Sequence, residues 1–290
     1  MNTFLDLGSI SKMPVKPEVC SNKMPWVDGT TRVFGVIAHP IDHVRAPMVF
    51  NPSFAQRGLP HVMVPIDAPP EHLEAVIRGL RSMPNFGGLA VTVPHKLALA
   101  GLCDYLGTAA QLTGAVNAIR FDPDGKIYGD NFDGAGFVAG CLGNGFEITD
   151  RNILVIGAGG AARAIAAALV SSGVGNLTVV NRDPQKAQAL IDALNLKMGY
   201  QNGRGLALAA IDGSGFDMII NCTSVGLKPD DDLPLALDRV NPDTVIADII
   251  MVPAETRWLT DAKSMGLTVH YGRHMLDYQL ELIGEFIGAF

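Results

Sequence analysis

The chain has 290 residues, 48% of them hydrophobic and 18% charged, with 29 acidic against 22 basic side chains and a formal net charge of −7. That excludes a disordered chain, and the length suggests two domains rather than one. No basic run points to nucleic acid, and no uncharged apolar run reaches the ~18 residues of a membrane span, so neither partner is expected. Cys20, Cys103, Cys141 and Cys222 are scattered and form no C-x-x-C pair. They read as free thiols of a reducing, cytoplasmic compartment, and no metal site is expected. No basic region followed by an apolar stretch marks the N-terminus as a signal peptide.

Residues 1–30 carry Pro14, Pro17 and Pro25 without periodicity and read as a loosely ordered arm. Arg32–Ala38 follows as a strand, Met48–Arg57 as a helix before Gly58, and His61–Ile66 as a second strand. Pro69 and Pro70 open a helix through Arg81, with Leu73, Val76, Ile77 and Leu80 on one face. Leu89–Val93 is a third strand and Lys96–Leu106 a helix. Strands alternating with helices imply parallel pairing through crossovers, hence an α/β layer. Ala115–Phe121 and Lys126–Tyr128 read as short strands around the DPDG turn Asp122–Gly125. The polar, glycine-rich Gly129–Gly136 reads as a passage between domains, and Phe137–Leu142 as a helix.

Asn152–Arg163 (NILVIGAGGAAR) is the most informative stretch. Ile153–Ile156 is a short buried strand, Gly157, Gly159 and Gly160 a tight turn, and Ala161–Val170 a helix. This order forms a phosphate cradle: backbone N–H groups and the positive end of the helix dipole face an anion, and absent side chains let it approach. Gly157-x-Gly159-x-x-Ala162 fits the dinucleotide fingerprint, which makes Gly157, Ala158, Gly159, Gly160 and Ala161 the candidate cofactor contacts. The next strand, Leu177–Val180, ends in Asn181-Arg182-Asp183. Asn181 takes the position where an acid would bind the ribose hydroxyl of NAD, and Arg182 suits the 2′-phosphate of NADP. NADP is therefore expected, with NAD as the alternative. Asp183 opposes it, because a carboxylate repels that phosphate; Arg182 and Asp183 could also simply face solvent.

A helix at Pro184–Leu194, strands at Met218–Asn221 and Thr244–Ile250, a helix around Thr256–Met265, a strand at Leu267–His270 and a last amphipathic helix at His274–Phe290 complete a second α/β layer. Asn221–Gly226 (NCTSVG) ends a strand where such sheets bind ligands. Thr223 is thus a candidate for cofactor contact, and an ordinary Asn–Thr turn is the competing reading.

Four separated motifs resemble those of the shikimate dehydrogenase family, which includes quinate/shikimate dehydrogenases. Val91-Thr92-Val93-Pro94-His95-Lys96 is similar to its VTxPxK, Gly114-Ala115-Val116-Asn117 to its GAVN, and Gly129-Asp130-Asn131-Phe132-Asp133-Gly134 to its GDNTDG with Phe132 for Thr. Gly272-Arg273-His274-Met275-Leu276 with Gln279 is similar to its G..ML..Q. The resemblance runs from about Arg32 to the end and follows the family's order. It implies an α/β substrate domain at residues 31–133 and 272–290, a Rossmann domain at 134–271, and a final helix returning to the first. It implies reversible hydride transfer between a nicotinamide cofactor and a ring hydroxyl or ketone of a small cyclic hydroxy acid. Lys96 and Asp133 are then the catalytic pair, Thr92, Asn117 and Gln279 bind substrate, and Gly272 lies at the cofactor. The chemistry agrees, since oxidising an alcohol requires a base for the hydroxyl proton, and a lysine beside a carboxylate can serve. Taken singly, Lys96 would read as a solvated charge and Asp133 as a turn former. A homodimer is compatible with this reading.

The chain also departs from the family. The family's HSxSP signature is IDHVRAP here (Ile41–Pro47), with Val44 and Ala46 at the serine positions; Ala90 replaces an Asn and Met251 a Tyr. None of the four can donate a side-chain hydrogen bond. A substrate carboxylate would need another partner, for which His43 or Arg45 qualifies, or the substrate lacks that carboxylate or carries a bulkier apolar group there; an exposed Arg45 with no ligand role is the competing reading. Retained chemistry with weak activity on shikimate itself is therefore expected. Alternatives are a quinate or other hydroxy-acid dehydrogenase using NAD, a ligand sensor without turnover, and a folate-linked dehydrogenase, which the motif order argues against.

Overall fold

A computed structural model describes residues 27–42, 44–228 and 230–290. The described chain forms two compact units, one of residues 27–132 and 280–290, the other of residues 133–279. The division falls at Phe132/Asp133 and at Gln279/Leu280. The expected arm at 1–30 lies, up to residue 26, outside the described residues, as does His43.

The first unit holds β1 (Arg32–Ala38), α1 (Ala46–Gln56), β2 (His61–Asp67), α2 (Leu73–Arg81), β3 (Phe86–Val91), α3 (Lys96–Ala100), β4 (Tyr105–Leu106), α4 (Thr108–Thr113), β5 (Ala118–Phe121) and β6 (Ile127–Asp130). Its sheet runs in the order β2-β1-β3-β5-β6-β4. β1, β2 and β3 pair parallel, as the alternation of strands and helices requires. β5 runs antiparallel to β3, and also to β6, where the DPDG turn sends the chain straight back as a hairpin. The sheet is therefore mixed. Ile37, Leu89, Val91, Leu99, Val116 and Ile119 form the centre of one core cluster, each at most 3% exposed. Each such side chain contributes about 1.5–3 kcal/mol by leaving water.

The helix expected over Lys96–Leu106 stops at Ala100. Gly101 closes it, and the Asp104 carboxylate accepts from the Ile127 amide at 2.9 Å, holding Tyr105–Leu106 in strand pairing beside β6. Propensity favoured helix there; a tertiary pairing overrode it.

The second unit holds α5 (Asp133–Gly143), β7 (Asn152–Ile156), α6 (Gly160–Ser171), β8 (Asn176–Asn181), α7 (Pro184–Met198), β9 (Gly203–Ala207), β10 (Met218–Asn221), β11 (Val245–Asp248), α8 (Arg257–Ser264) and β12 (Thr268–Tyr271). Helix α9 (Gly272–Phe286) begins in this unit, and its residues from Leu280 onward group with the first. All six strands are parallel, in the order β12-β11-β10-β7-β8-β9. Counted from β7, that is the 3-2-1-4-5-6 order of a dinucleotide-binding sheet, with its switch point between β7 and β10. Ile153, Leu154, Val155, Leu177, Val179, Val180, Ile219, Ile220 and Ile246 are fully buried, as the uninterrupted apolar runs of a parallel sheet covered on both faces require. α5 crosses α6 so closely that a Cβ on Gly134 would run into the Ala164 carbonyl, so only glycine fits there.

Candidate functional site

In the second unit the glycine turn sits at the switch point. Gly157 leaves β7 with φ +112°, a conformation L side chains rarely adopt, and its amide donates to the Val180 carbonyl at 2.7 Å. Gly159 is the N-cap of the 12-residue α6, and no side chain caps that helix, so its first amides are available to an anion. A Cβ built on Gly159 or on Gly160 would meet nothing within 4 Å. Both glycines thus border open space at a helix N-terminus, a cradle that a side chain would begin to fill. Ala158 is 9% exposed and Ala162 is fully buried against the sheet. These residues fit a dinucleotide pyrophosphate.

At the end of β8, Arg182 and Asp183 are both exposed. Asp183 caps α7, its carboxylate accepting from the Gln185 amide at 3.0 Å, and the Asn181 side chain donates to the Asp183 carbonyl at 3.1 Å. The carboxylate that argued against NADP is thereby engaged at a helix N-terminus, where negative charge is favourable. Arg182 keeps its guanidinium at the surface beside it. The other half of the switch point is the Asn221–Gly226 loop. A Cβ on Gly157 would lie 3.1 Å from Thr223 Cγ2 and 3.2 Å from the Cys222 carbonyl oxygen, so this loop touches the glycine turn. Asn221 makes the Asn–Thr turn of the competing reading and bonds beyond it as well. Its side chain is fully buried, accepts from the Thr223 amide (3.0 Å) and hydroxyl (2.7 Å), and donates to the Val225 carbonyl (3.0 Å) and to Asp248 Oδ1 (3.2 Å).

Asp248 opens the segment in which Met251 replaces a Tyr, and the sequence assigns it no role in the site. It is fully buried, and burial pushes its carboxyl above the usual range, against hydrogen bonds from Ile250, Asn221 and Thr256 that hold it down. The available signal was a single polar residue ending each of two apolar strands, MIIN and VIAD. Gly272 begins α9 so close to the Ile249 and Ile250 carbonyl oxygens that a Cβ would come within 2.6 Å of them. Burial pushes the Cys141 and Cys222 thiols up, the Asp248 carboxylate adding to the shift at Cys222. Among the described residues, no group of three or more His, Cys, Asp or Glu could hold a metal ion, and no helix is long and apolar enough to cross a membrane.

In the first unit, three of the recognised motifs meet inside the sheet, where β3 and β6 end and β5 begins. The Val91 amide donates to the Asn117 carbonyl at 2.7 Å, and the Val116 amide to the Lys96 carbonyl at 2.9 Å. The Asn117 amide donates to the Asp130 carbonyl at 3.0 Å, and Asn117 Oδ1 accepts from the Phe132 amide at 2.8 Å. Asn117 is 3% exposed; Thr92 and Lys96 are half-buried. His95, next to Lys96, anchors the start of α3 through a ring nitrogen 2.8 Å from the Ala68 carbonyl oxygen. Asp133 follows Phe132 and opens α5 in the second unit, where Gln279 lies beside Gly136 of the same helix. Gln279 is 5% exposed. Arg45 is the exposed N-cap of α1, which has no side-chain cap; its Nη1 lies 3.8 Å from Met48 Sδ. Val44 and Ala46 on either side are half-buried, Ala90 is buried and Met251 half-buried.

Asp130 supports this end of the central strands. Its Oδ1 accepts from the Asn131 amide at 2.8 Å and the Ala110 amide at 3.0 Å, and desolvation pushes its pKa up to about 6. A carboxyl raised on folding stabilises fully below its unfolded pKa near 4, and that contribution is lost as pH rises towards 6. Asp130→Asn keeps an acceptor oxygen and removes the buried charge. It is expected to raise the melting temperature at pH 7–8, by up to about 3 kcal/mol in stability, and to flatten the decline between pH 4 and 6. Thermal unfolding across pH 4–8 checks this; parallel profiles for the two proteins would refute it.

A profile described as the shikimate dehydrogenase substrate binding domain matches residues 36–119, and one described as shikimate / quinate 5-dehydrogenase matches residues 142–225. A shikimate dehydrogenase (NADP(+)) of Rubrobacter xylanophilus is 40% identical over 264 residues, which cover 88% of this chain and 90% of that protein. The chain belongs to the shikimate dehydrogenase family. This is a family of NAD(P)-dependent oxidoreductases that act on a CH–OH group. Membership agrees with the resemblance carried by the motifs and with the α/β, two-unit fold. Among solved structures, a shikimate dehydrogenase in complex with NADP+ superposes with a TM-score of 0.79 at 32% identity, covering 92% of this chain and 93% of the other. A ligand-free 5-ketofructose reductase of Gluconobacter sp. strain CHM43 superposes with a TM-score of 0.80 at 30% identity, covering 91% and 95%.

Proposed function

We propose that this member of the family uses NADP to interconvert a ring hydroxyl and a ketone on a shikimate-like cyclic polyol acid. The observation that carries the proposal is that the VTxPxK, GAVN and GDNFDG segments lie together in the first unit, where the Val91 amide bonds the Asn117 carbonyl, the Val116 amide the Lys96 carbonyl and the Phe132 amide Asn117 Oδ1. The first unit holds the acid and the second the dinucleotide. Gly157, Ala158, Gly159, Gly160 and Ala161 take the pyrophosphate, and Arg182 with Asn181 the adenosine ribose and its phosphate. Thr223 and Gly272 lie at the other end of the dinucleotide. When bound, the cofactor supplies the hydride acceptor for oxidation and the donor for reduction. Lys96 Nζ takes the hydroxyl proton in oxidation and returns it to the carbonyl oxygen in reduction, and the Asp133 carboxylate orients ammonium and hydroxyl. Thr92, Asn117 and Gln279 hold the remaining hydroxyls.

Arg45 substitutes for the serine pair of other family members. Its guanidinium and the uncapped α1 N-terminus both favour a carboxylate. Val44 and Ala46 beside it favour a second reading, a neutral polyhydroxy ketone, which is what the 5-ketofructose reductase is named for acting on. A panel of shikimate, quinate and 5-ketofructose, each with NADP and NAD, separates them. For an acid substrate, Arg45→Ala should raise KM about tenfold or more with kcat little changed, the loss of one charge-assisted pair. Equal effects on acid and neutral substrates, or turnover of the neutral ketone alone, would refute the role of Arg45. Turnover of shikimate with kcat and KM normal for a biosynthetic enzyme would refute the weak activity expected from Val44, Ala46, Ala90 and Met251. Light scattering of the same preparation tests the homodimer.

A further inference from the structure

The Asn221–Gly226 loop forms half of the switch point, yet among the described residues the only charged side chain bonded to Asn221 is Asp248, one strand away. Asn221 and Asp248 are register partners at the ends of β10 and β11. Asp248 Oδ1 accepts from the Ile250 amide at 3.0 Å and from Asn221 Nδ2 at 3.2 Å, while Oδ2 accepts from the Thr256 hydroxyl at 2.9 Å. Thr256 is the N-cap of α8. One buried carboxylate therefore ties together the loop after β10, the residues 249–250 on which Gly272 rests, and the start of α8. Asn221 is the relay. Its Oδ1 holds Thr223 by amide and hydroxyl, and the Thr223 hydroxyl in turn accepts from the Val225 amide at 3.1 Å. Thr223 and the Cys222 carbonyl then abut Gly157 of the phosphate cradle. A misplaced Asn221 amide would let this loop move towards or away from the glycine turn. An ordinary core would fill this position with an apolar residue, because an uncompensated carboxylate is expensive to bury. Among the described residues, all bond partners of this one are loop-ordering groups, and none is a cation.

We infer that Asp248 is a positioning residue for the dinucleotide, acting through Asn221 and Thr223 to hold the switch-point loop against the glycine turn. The inference rests on the reading of that turn as an NADP site. It requires only contacts inside the second unit, so it is independent of which substrate the first unit binds.

The test is direct binding of NADP to the free protein by calorimetry, with KM for NADP and for the best substrate measured alongside. D248N keeps the side-chain volume and an acceptor oxygen but presents an amide to the Thr256 hydroxyl. It should raise the Kd for NADP about 3- to 10-fold while the substrate KM moves less than about twofold. N221A should weaken NADP comparably. The D248N/N221A double variant should be no worse than N221A alone, because both changes cut one relay. A D248N protein with lowered Tm and unchanged Kd would show a merely structural role and overturn the inference. So would additive losses in the double variant. Failure of the wild-type protein to bind NADP at all would instead overturn the cofactor reading beneath it. D248A, which strips three bonds at once, is not needed for either outcome.

Discussion

Lys96→Ala will lower kcat by about 10²–10⁴-fold, the range that a positioned proton-transfer group contributes. Lys96 opens α3, and its carbonyl is held by the Val116 amide through the backbone alone, so the substitution leaves the GAVN loop in place. Alanine is a good helix former, and α3 should persist. The dinucleotide cradle lies in the other compact unit, so the Kd for NADP should stay within about twofold, and the loss should fall on the chemical step rather than on cofactor binding. Asp133→Asn should reduce kcat in the same direction by a smaller factor, since an amide still orients but no longer carries charge. The Lys96→Ala/Asp133→Asn double variant should be no slower than Lys96→Ala, as groups acting as one unit are not additive. Steady-state kinetics on the best substrate of the panel decide this. Wild-type kcat in Lys96→Ala would remove Lys96 from the mechanism. No turnover of any polyol or ketone by the wild-type protein would favour a ligand sensor.

Gly159→Ala and Gly160→Ala should each raise the Kd for NADP about tenfold or more, equivalent to about 1.4 kcal/mol, while leaving Tm unchanged or slightly higher. Gly159 sits at φ −79°, ψ −171°, which any residue adopts, and Gly160 lies inside the first turn of α6. An alanine there meets no protein atom within 4 Å, so the fold does not resist it. In the helix it even gains the ~1 kcal/mol by which alanine exceeds glycine. The added methyl instead occupies the space through which the pyrophosphate must approach the helix amides. Gly157→Ala should behave in the opposite way and lose stability, by about 1–3 kcal/mol, because φ +112° strains any residue with a Cβ. Differential scanning calorimetry paired with isothermal titration separates the two patterns. Unchanged NADP affinity in both Gly159→Ala and Gly160→Ala would mean that the cofactor does not use this turn.

The sequence alone determined the parts of this protein that depend on neighbours along the chain. Ile153–Ile156, the glycines and the alanine-rich run after them dictate strand, turn and helix by local sterics and periodicity, and the switch-point cradle follows from that order. Alternating elements foretold the parallel strands of both sheets, and four ordered motifs placed the chain in its family. Tertiary structure decided what depends on residues far apart. β9 has too many glycines to read as a strand and exists because β8 offers its edge. Lys96–Ala100 are helix formers, but Gly101 closes the helix and pairing with Tyr128 and Gly129 turns the end of the segment into β4. Asp183 has a visible structural task only once the start of α7 gives its carboxylate an amide to cap. Asp248 had no visible task until the sheet set it beside Asn221, 27 positions earlier in the chain. Charge and hydrogen-bonding capacity are written in the residue type, but the partner that makes a polar group useful or harmless is supplied by the fold, because hydrogen bonds act over about 3 Å of space whatever the distance along the chain.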